Sequence, residues 1–416
     1  MVARAAPQRH LQNSSFALQA LHRPACGTVP AIPALEKYMH IRLFARLLPG
    51  LVAAGAIGVA HAAYHPPGRA DDGWPVADAT ALGWNTGVLA GVEAKIADAT
   101  YKGVTSIVVA DHGRLVYEAY FNGGGRDTLN DMRSATKTLT ALLAGAAIER
   151  GLIPDVHAKV YPYFVDRRPF LHPDARKDAF TLEDLLTMSS LWECDDDNAF
   201  SSGNEERMYV GEDWLHFALD LPIKGFAPWM KKPADSPYGR AFSYCTAGSY
   251  VAGALVERAA GRHLDAFSAD VLERPLGIAR TQWNFAPEGI AMGGGGTRLR
   301  SRDAAKVGQL LAAQGEWQGR QVIAKAWIAA MLTPHAQARD DAEYGYLAWR
   351  FHFALGDGRD QPVWAMSGNG GNYVFAIPER QLVAVVTSSA YNQRYAHPQS
   401  QEIFREFVLK AAPAPR

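Results

Sequence analysis

Ser134-Ala135-Thr136-Lys137 opens the stretch whose reading decides the fold, because Leu139, Leu142, Leu143, Ala146 and Ile148 follow at helical spacing before Gly151. Apolar residues at that period, closed by a glycine, predict a buried helix. Residues one helical turn apart share a face, so the Ser134 hydroxyl and the Lys137 amine meet there. A serine at a helix start keeps its own backbone N–H unpaired, a donor available to an oxyanion. An alcohol is a weak nucleophile until a base takes its proton, and a lysine in a dry cleft can do so. The tetrapeptide alone recurs by chance in chains of this size; a lysine inside an apolar helix needs a reason.

Working outward, 104–110 and 115–120 alternate around Asp111-His112-Gly113, a hairpin signal. An amphipathic helix is expected over 86–99, and Thr181-Leu182-Glu183-Asp184 starts a short helix with a capping box. From there to about Gly239 the chain is rich in Asp, Asn, Pro and Trp, as loops over a binding face are. Helices follow at 246–260, 301–313 and 324–332. Period-two, β-branched patterning returns at 346–353, 363–367, 372–377 and 382–388, and 399–411 closes as a helix. Strands at both ends and helices between them predict an α/β (α+β) fold. One antiparallel sheet is flanked by helices, with a mainly helical lobe inserted at about 150–290 and a cleft holding Ser134.

The 416 residues carry 42 basic and 42 acidic side chains and are 48% hydrophobic. Zero formal charge gives no footprint for nucleic acid. In the N-terminal region, 39–46 is basic, 47–59 apolar, and Ala60-His61-Ala62 small-x-small, the three parts of a signal peptide over 39–62 cleaved before Ala63. The apolar run is short for a membrane span and Pro49 interrupts it, so no stable span is expected after cleavage; the alternative is an uncleaved anchor. Residues 1–38 lack folding patterns and read as an over-extended start, with 63–416 as the folded domain. The localisation expected is periplasmic or secreted. Export leaves Cys194 and Cys245 in the mature chain, either paired or as two buried thiols. The oligomeric state is not encoded in any pattern found.

Two further stretches stand in order behind Ser134. Phe242-Ser243-Tyr244-Cys245-Thr246-Ala247-Gly248 precedes a helix and offers the phenol of Tyr244 to Ser134, with the Lys137 ammonium stabilising a phenolate. Ser367-Gly368-Asn369-Gly370-Gly371-Asn372 leaves a strand, and its glycines let substrate lie along the edge while a backbone N–H completes an oxyanion pair. Together the three resemble the serine hydrolases of the class C β-lactamase, DD-peptidase and 6-aminohexanoate-dimer hydrolase superfamily, from about Val104 to the C-terminus. The run Thr181 to Ser190, residues 293–300 and Ile377-Pro378-Glu379 echo the same pattern. The resemblance implies Ser134 as acylated nucleophile, Lys137 as its partner, and Tyr244 as the tyrosine of Tyr-x-Asn. It places Asn369-Gly370-Gly371 at the Lys-Thr-Gly strand, with Asn372 giving the second oxyanion N–H.

Two departures bear on substrate. Thr246 replaces the asparagine of the second element, and Asn369 the cation of the third; no lysine lies between Lys325 and Lys410 to restore it. That cation anchors a substrate carboxylate in the family pattern. Its loss points away from β-lactams and peptidoglycan peptides toward a less charged ester or amide, unless Arg298, Arg300 or Arg350 substitutes. The expectation is an exported serine hydrolase working through an acyl-enzyme on a small ester, amide or peptide-like molecule. The alternatives are a β-lactamase or DD-peptidase, and an inactive binding protein on the same scaffold. Neither cofactor nor metal is expected: Walker, dinucleotide and His-Glu-x-x-His signatures are missing, as is a Gly-x-Ser-x-Gly elbow. Glu193-Cys194-Asp195-Asp196-Asp197-Asn198 lacks calcium-loop spacing and reads as a solvated acidic loop near the cleft. Trp192, Trp214 and Trp229 serve packing in the insertion or line an acyl pocket.

Overall fold

The computed structural model describes residues 64–229, 241–355 and 358–414; the expected signal peptide and the leader before it lie outside the described residues. Val104–Asp111 (β1) and Arg114–Tyr120 (β2) meet at a two-residue turn where His112 and Gly113 both take positive φ, 47° and 72°. That turn matches the right-handed twist of the paired strands. Six more strands follow late in the chain: Ala336–Arg339 (β3), Ala342–Tyr344 (β4), Trp349–Ala354 (β5), Asp360–Gly368 (β6), Asn372–Ile377 (β7) and Leu382–Ser388 (β8). They join the hairpin in one sheet of order β2-β1-β8-β7-β6-β5-β4-β3, with antiparallel pairing throughout. The strand expected over 346–353 starts later, at Trp349, because Tyr344 pairs with Trp349 and the residues between them form the turn.

Period-two alternation sends side chains to two cores. Val108, Ala110, Val374, Ala376, Val383 and Val385 face one, while Ile107, Val109, Phe375, Ile377, Ala384 and Val386 face the other. Both faces are therefore apolar, and both must be covered. The helices that matter here are Thr86–Ala97 (α1), Thr136–Glu149 (α2), Leu182–Leu186 (α3), Thr246–Ala260 (α4), Ser301–Ala312 (α5) and Ala396–Ile403 (α6). Leu89 and Val92 of α1 and Ile403 of α6 close the second core; α2, α4 and α5 fill the first. Thr181 caps α3 in a full capping box with Asp184. Between Gly151 and Thr297 the described residues add no strand to the sheet. Each leucine that α2 buries stabilises the fold by about 1.5–3 kcal/mol, and that helix seats Ser134 and Lys137 against the sheet.

Candidate active site

Ser134 sits in the 3-10 turn Arg133–Ala135 that runs into α2. The approach is held by pairing of Asn130 and Asp131 with Leu299 and Arg298, and by Met132 N–H on Thr297 O at 2.9 Å. Arg133 takes φ 49° just before Ser134, steadied by its N–H on Asp131 Oδ1 at 3.0 Å and its guanidinium 4.6 Å from the Tyr391 ring centre. Left-handed backbone at a non-glycine residue is strain that concentrates at functional sites.

Lys137 is 1% exposed. Its Nζ lies 3.0 Å from Ser134 Oγ, 2.9 Å from Thr246 Oγ1 and 2.6 Å from Gly294 O. The carbonyl can only accept, and the Thr246 hydroxyl can accept a second N–H. A neutral amine so engaged turns its lone pair to the hydroxyl of Ser134, whereas an ammonium donates to all three. The arrangement serves either protonation state without moving a heavy atom.

Tyr244 precedes α4 and lines the same cleft as Ser134. Its ring is stacked on Trp349, 5.6 Å between centres at 30°, and Lys137 Nζ lies 4.9 Å from the ring centre. No hydrogen bond joins the Tyr244 hydroxyl to Ser134 or Lys137. The expected phenol-to-serine hydrogen bond is thus not formed in this structure; Lys137 Nζ lies over the face of the Tyr244 ring. Cys245, the next residue, is disulfide-bonded to Cys194, which settles the alternative left open for that pair.

The third stretch divides. A Cβ on Gly368 would lie 2.1 Å from Met132 O and 3.2 Å from Ala135 N, so β6 runs directly against the turn that carries Ser134, and only glycine allows it. Asn369, Gly370 and Gly371 form the turn from β6 to β7. Asn369 lines the cleft, its amide tied to Asn392 by bonds of 2.6 and 2.8 Å. Three expectations are corrected here. Gly370 and Gly371 turn away, against Tyr391 and Ala396. Asn372 is fully buried, its side chain bonded to Asn369 O at 2.9 Å and to the Ser388 backbone at 3.0 and 3.1 Å, so it shapes the turn and faces no substrate. Thr246 is likewise fully buried and holds Lys137 without lining the cleft. Among the described residues no loop or turn carbonyl accepts the backbone N–H of Ser134 or Asn369.

Asp196 belongs to the acidic run 193–198, which reads as a solvated loop near the cleft; its carboxylate is instead engaged at the start of α4 and of the short helix Glu205–Tyr209. Its Oδ2 accepts the Thr246 N–H at 2.7 Å and its Oδ1 the Glu205 N–H at 3.0 Å. Burial pushes its carboxyl up to about 6, against the opposing pull of the Lys137 ammonium; Glu205 adds to the rise and the Thr246 hydrogen bonds reduce it.

Two cavities meet at Ser134. The larger, about 760 Å³, has an aromatic wall of Phe242, Tyr244, Trp349, Phe351 and Tyr373. The smaller, about 300 Å³, runs between Trp214, Met292 and Gly294. Arg298, Arg300 and Arg350 line neither; Arg300 is held by Asp303 at 2.6 Å and Arg350 by Glu343 at 2.6 Å. Arg339 does line the larger cavity, 3.2 Å from Asp341 and 5.0 Å from the Trp349 ring centre. Trp192 is buried and donates to Tyr161 at 3.0 Å, and Trp229 is exposed, so Trp214 alone of the three reaches the site. Among the described residues no cluster of His, Cys, Asp and Glu could hold a metal ion, and no helix is long and apolar enough to cross a membrane.

No curated protein matches the chain in sequence. Solved structures do match in fold. The putative 6-aminohexanoate-dimer hydrolase from Bacillus anthracis aligns with TM-score 0.60 at 18% identity, over 75% of this chain and 80% of that one. A penicillin-binding protein homologue from Caulobacter crescentus aligns at 0.57 and 20%, over 77% and 95%. A family VIII carboxylesterase aligns at 0.55 and 19%, over 75% and 95%. At these identities the likeness establishes the sheet-and-helix architecture of the DD-peptidase and β-lactamase fold. The beta-lactamase family model itself matches residues 89–404, which takes in Ser134, Lys137 and both later elements, and the chain thus belongs to the beta-lactamase family of serine hydrolases.

Proposed function

We propose that the protein cleaves an ester or amide with an uncharged acyl group through an acyl-enzyme on Ser134. The observation that carries this reading is the buried Lys137 Nζ at 3.0 Å from Ser134 Oγ. Oγ attacks the carbonyl carbon as its proton passes to Lys137, and the carbonyl electron pair moves to oxygen. The N–H groups of Ser134 and Asn369 receive that oxyanion. Tyr244, free of hydrogen bonds to Ser134 and Lys137, stands in the cleft to protonate the leaving group and then to orient the water that releases the acyl group. An aromatic wall suits an apolar acyl chain. The cation that would hold a carboxylate on this strand is replaced by an Asn369 tied to Asn392; of the two arginines lining the larger cavity, Arg339 and Arg394, the first is engaged by Asp341. The carboxylesterase among the fold neighbours accords with this substrate class.

Export is part of the proposal. The signal-peptide pattern and the Cys194–Cys245 bridge both point to an oxidising compartment.

The test is a fluorophosphonate probe with a panel of p-nitrophenyl esters, linear amides and nitrocefin. Labelling of wild type but not Ser134→Ala, with ester or amide turnover exceeding nitrocefin turnover, is expected. An unlabelled wild type supports an inactive binding protein, and nitrocefin as the preferred substrate supports a β-lactamase.

A further inference from the structure

We infer that Asp196 is the positioning residue for Lys137: its carboxylate, seated on the first N–H of α4, stabilises the ammonium formed when Lys137 takes the Ser134 proton. The inference rests on the acyl-enzyme reading above. Every atom in hydrogen-bond contact with Lys137 Nζ is neutral, and among the described residues no carboxylate is in ion-pair contact with it. Making a cation in a buried site without a counter-charge is costly. Thr246 stands between the two groups, its hydroxyl on Lys137 at 2.9 Å and its N–H on Asp196 at 2.7 Å. One residue thus bridges base and carboxylate.

The carboxylate is held on several sides. The Asp196 N–H donates to Tyr244 O at 2.9 Å, the Asn204 amide donates to Asp196 O at 3.0 Å, and the Cys194–Cys245 bridge ties the same loop to the start of α4. Lys137 faces it from α2, Tyr244 and Thr246 from the start of α4, and Glu205 and Tyr209 from the short helix Glu205–Tyr209; Asp195 and Asp197 flank it on its own loop. In the step itself, the Ser134 O–H bond breaks, its proton bonds to Lys137 Nζ, and the oxygen pair forms the C–O bond. Asp196 neither gains nor loses a proton.

The charge is present above about pH 6 and is lost as pH falls through that value, so turnover should fall on the acid side there. Asp196→Asn keeps an oxygen for the Thr246 N–H but removes the charge. We expect kcat to drop about ten- to hundredfold, KM to stay near wild type, and the acid limb to vanish. A kcat and limb unchanged in this variant overturn the inference while leaving the acyl-enzyme reading intact; a wild type that no probe labels overturns the reading itself. Should Asp196→Asn fail to fold, Glu205→Gln decides. It removes a neighbouring negative charge, so the limb moves to lower pH if Asp196 governs it; an unmoved limb overturns the inference.

Discussion

Cys194 and Cys245 are bonded across 51 residues, and the bridge falls between Tyr244, whose ring lies over Lys137, and Thr246, whose hydroxyl takes a Lys137 N–H. The bridge therefore fixes the surroundings of Lys137 as well as the fold. Closing a loop of that length removes unfolded-state freedom equivalent to about 4 kcal/mol. Cys194→Ser with Cys245→Ser should lower the melting temperature and also cut kcat, because the Asp196 loop is freed from α4. Calorimetry and kinetics with and without reductant read both; a melting curve indifferent to reductant would reject the bridge.

Lys137→Met keeps the length and apolar stem of the side chain while deleting the amine. Turnover should fall about 10²- to 10⁴-fold, with stability maintained or raised, since a buried charge is replaced by an apolar group. Burst kinetics with a p-nitrophenyl ester separate acylation from deacylation. Retention of a full-rate burst would remove Lys137 from the attack step.

The spacing of Ser134 and Lys137 was legible because a single helical turn links them, and the 112–113 turn because local residue types dictate it. Four of the six late strands were legible through their residue patterning; the short edge strands Ala336–Arg339 and Ala342–Tyr344 were not, being too brief to show a period. What escaped was set by packing between distant segments. The acidic run 193–198 stands out near the cleft, but nothing in it singles out Asp196, because its partner Thr246 lies 50 residues on and the loop reaches it by a disulfide and a helix cap. Asn372 and Asn369 have similar surroundings in sequence, yet one closes a ladder and the other lines the cleft; the hairpin register alone separates them. Trp349 reads as an ordinary strand residue until it is found stacked on Tyr244.

Gly368→Ala tests the close approach of β6 to the turn that carries Ser134. The added methyl meets Met132 O at 2.1 Å, so strand or turn must shift. Displacement on the order of 1 Å costs about 10²-fold in rate. The expected outcome is a folded protein with an intact near-ultraviolet spectrum and a kcat lowered to that extent; wild-type kcat would show that the turn tolerates movement.

Asn369→Lys restores the positive charge that the family pattern carries on this strand. The substitution breaks the two bonds to Asn392, a modest loss for a partly exposed pair, and places an ammonium at the rim of the cavity lined by Ser134. A charge-assisted bond to a carboxylate contributes about 1.5–3 kcal/mol, so kcat/KM for an acyl donor bearing a carboxylate should rise about ten- to hundredfold relative to its methyl ester. The comparison within one substrate pair cancels any general damage to the site. If the ratio stays at its wild-type value, the charge at position 369 does not govern selectivity, and the inference that the protein prefers an uncharged acyl group loses its main support.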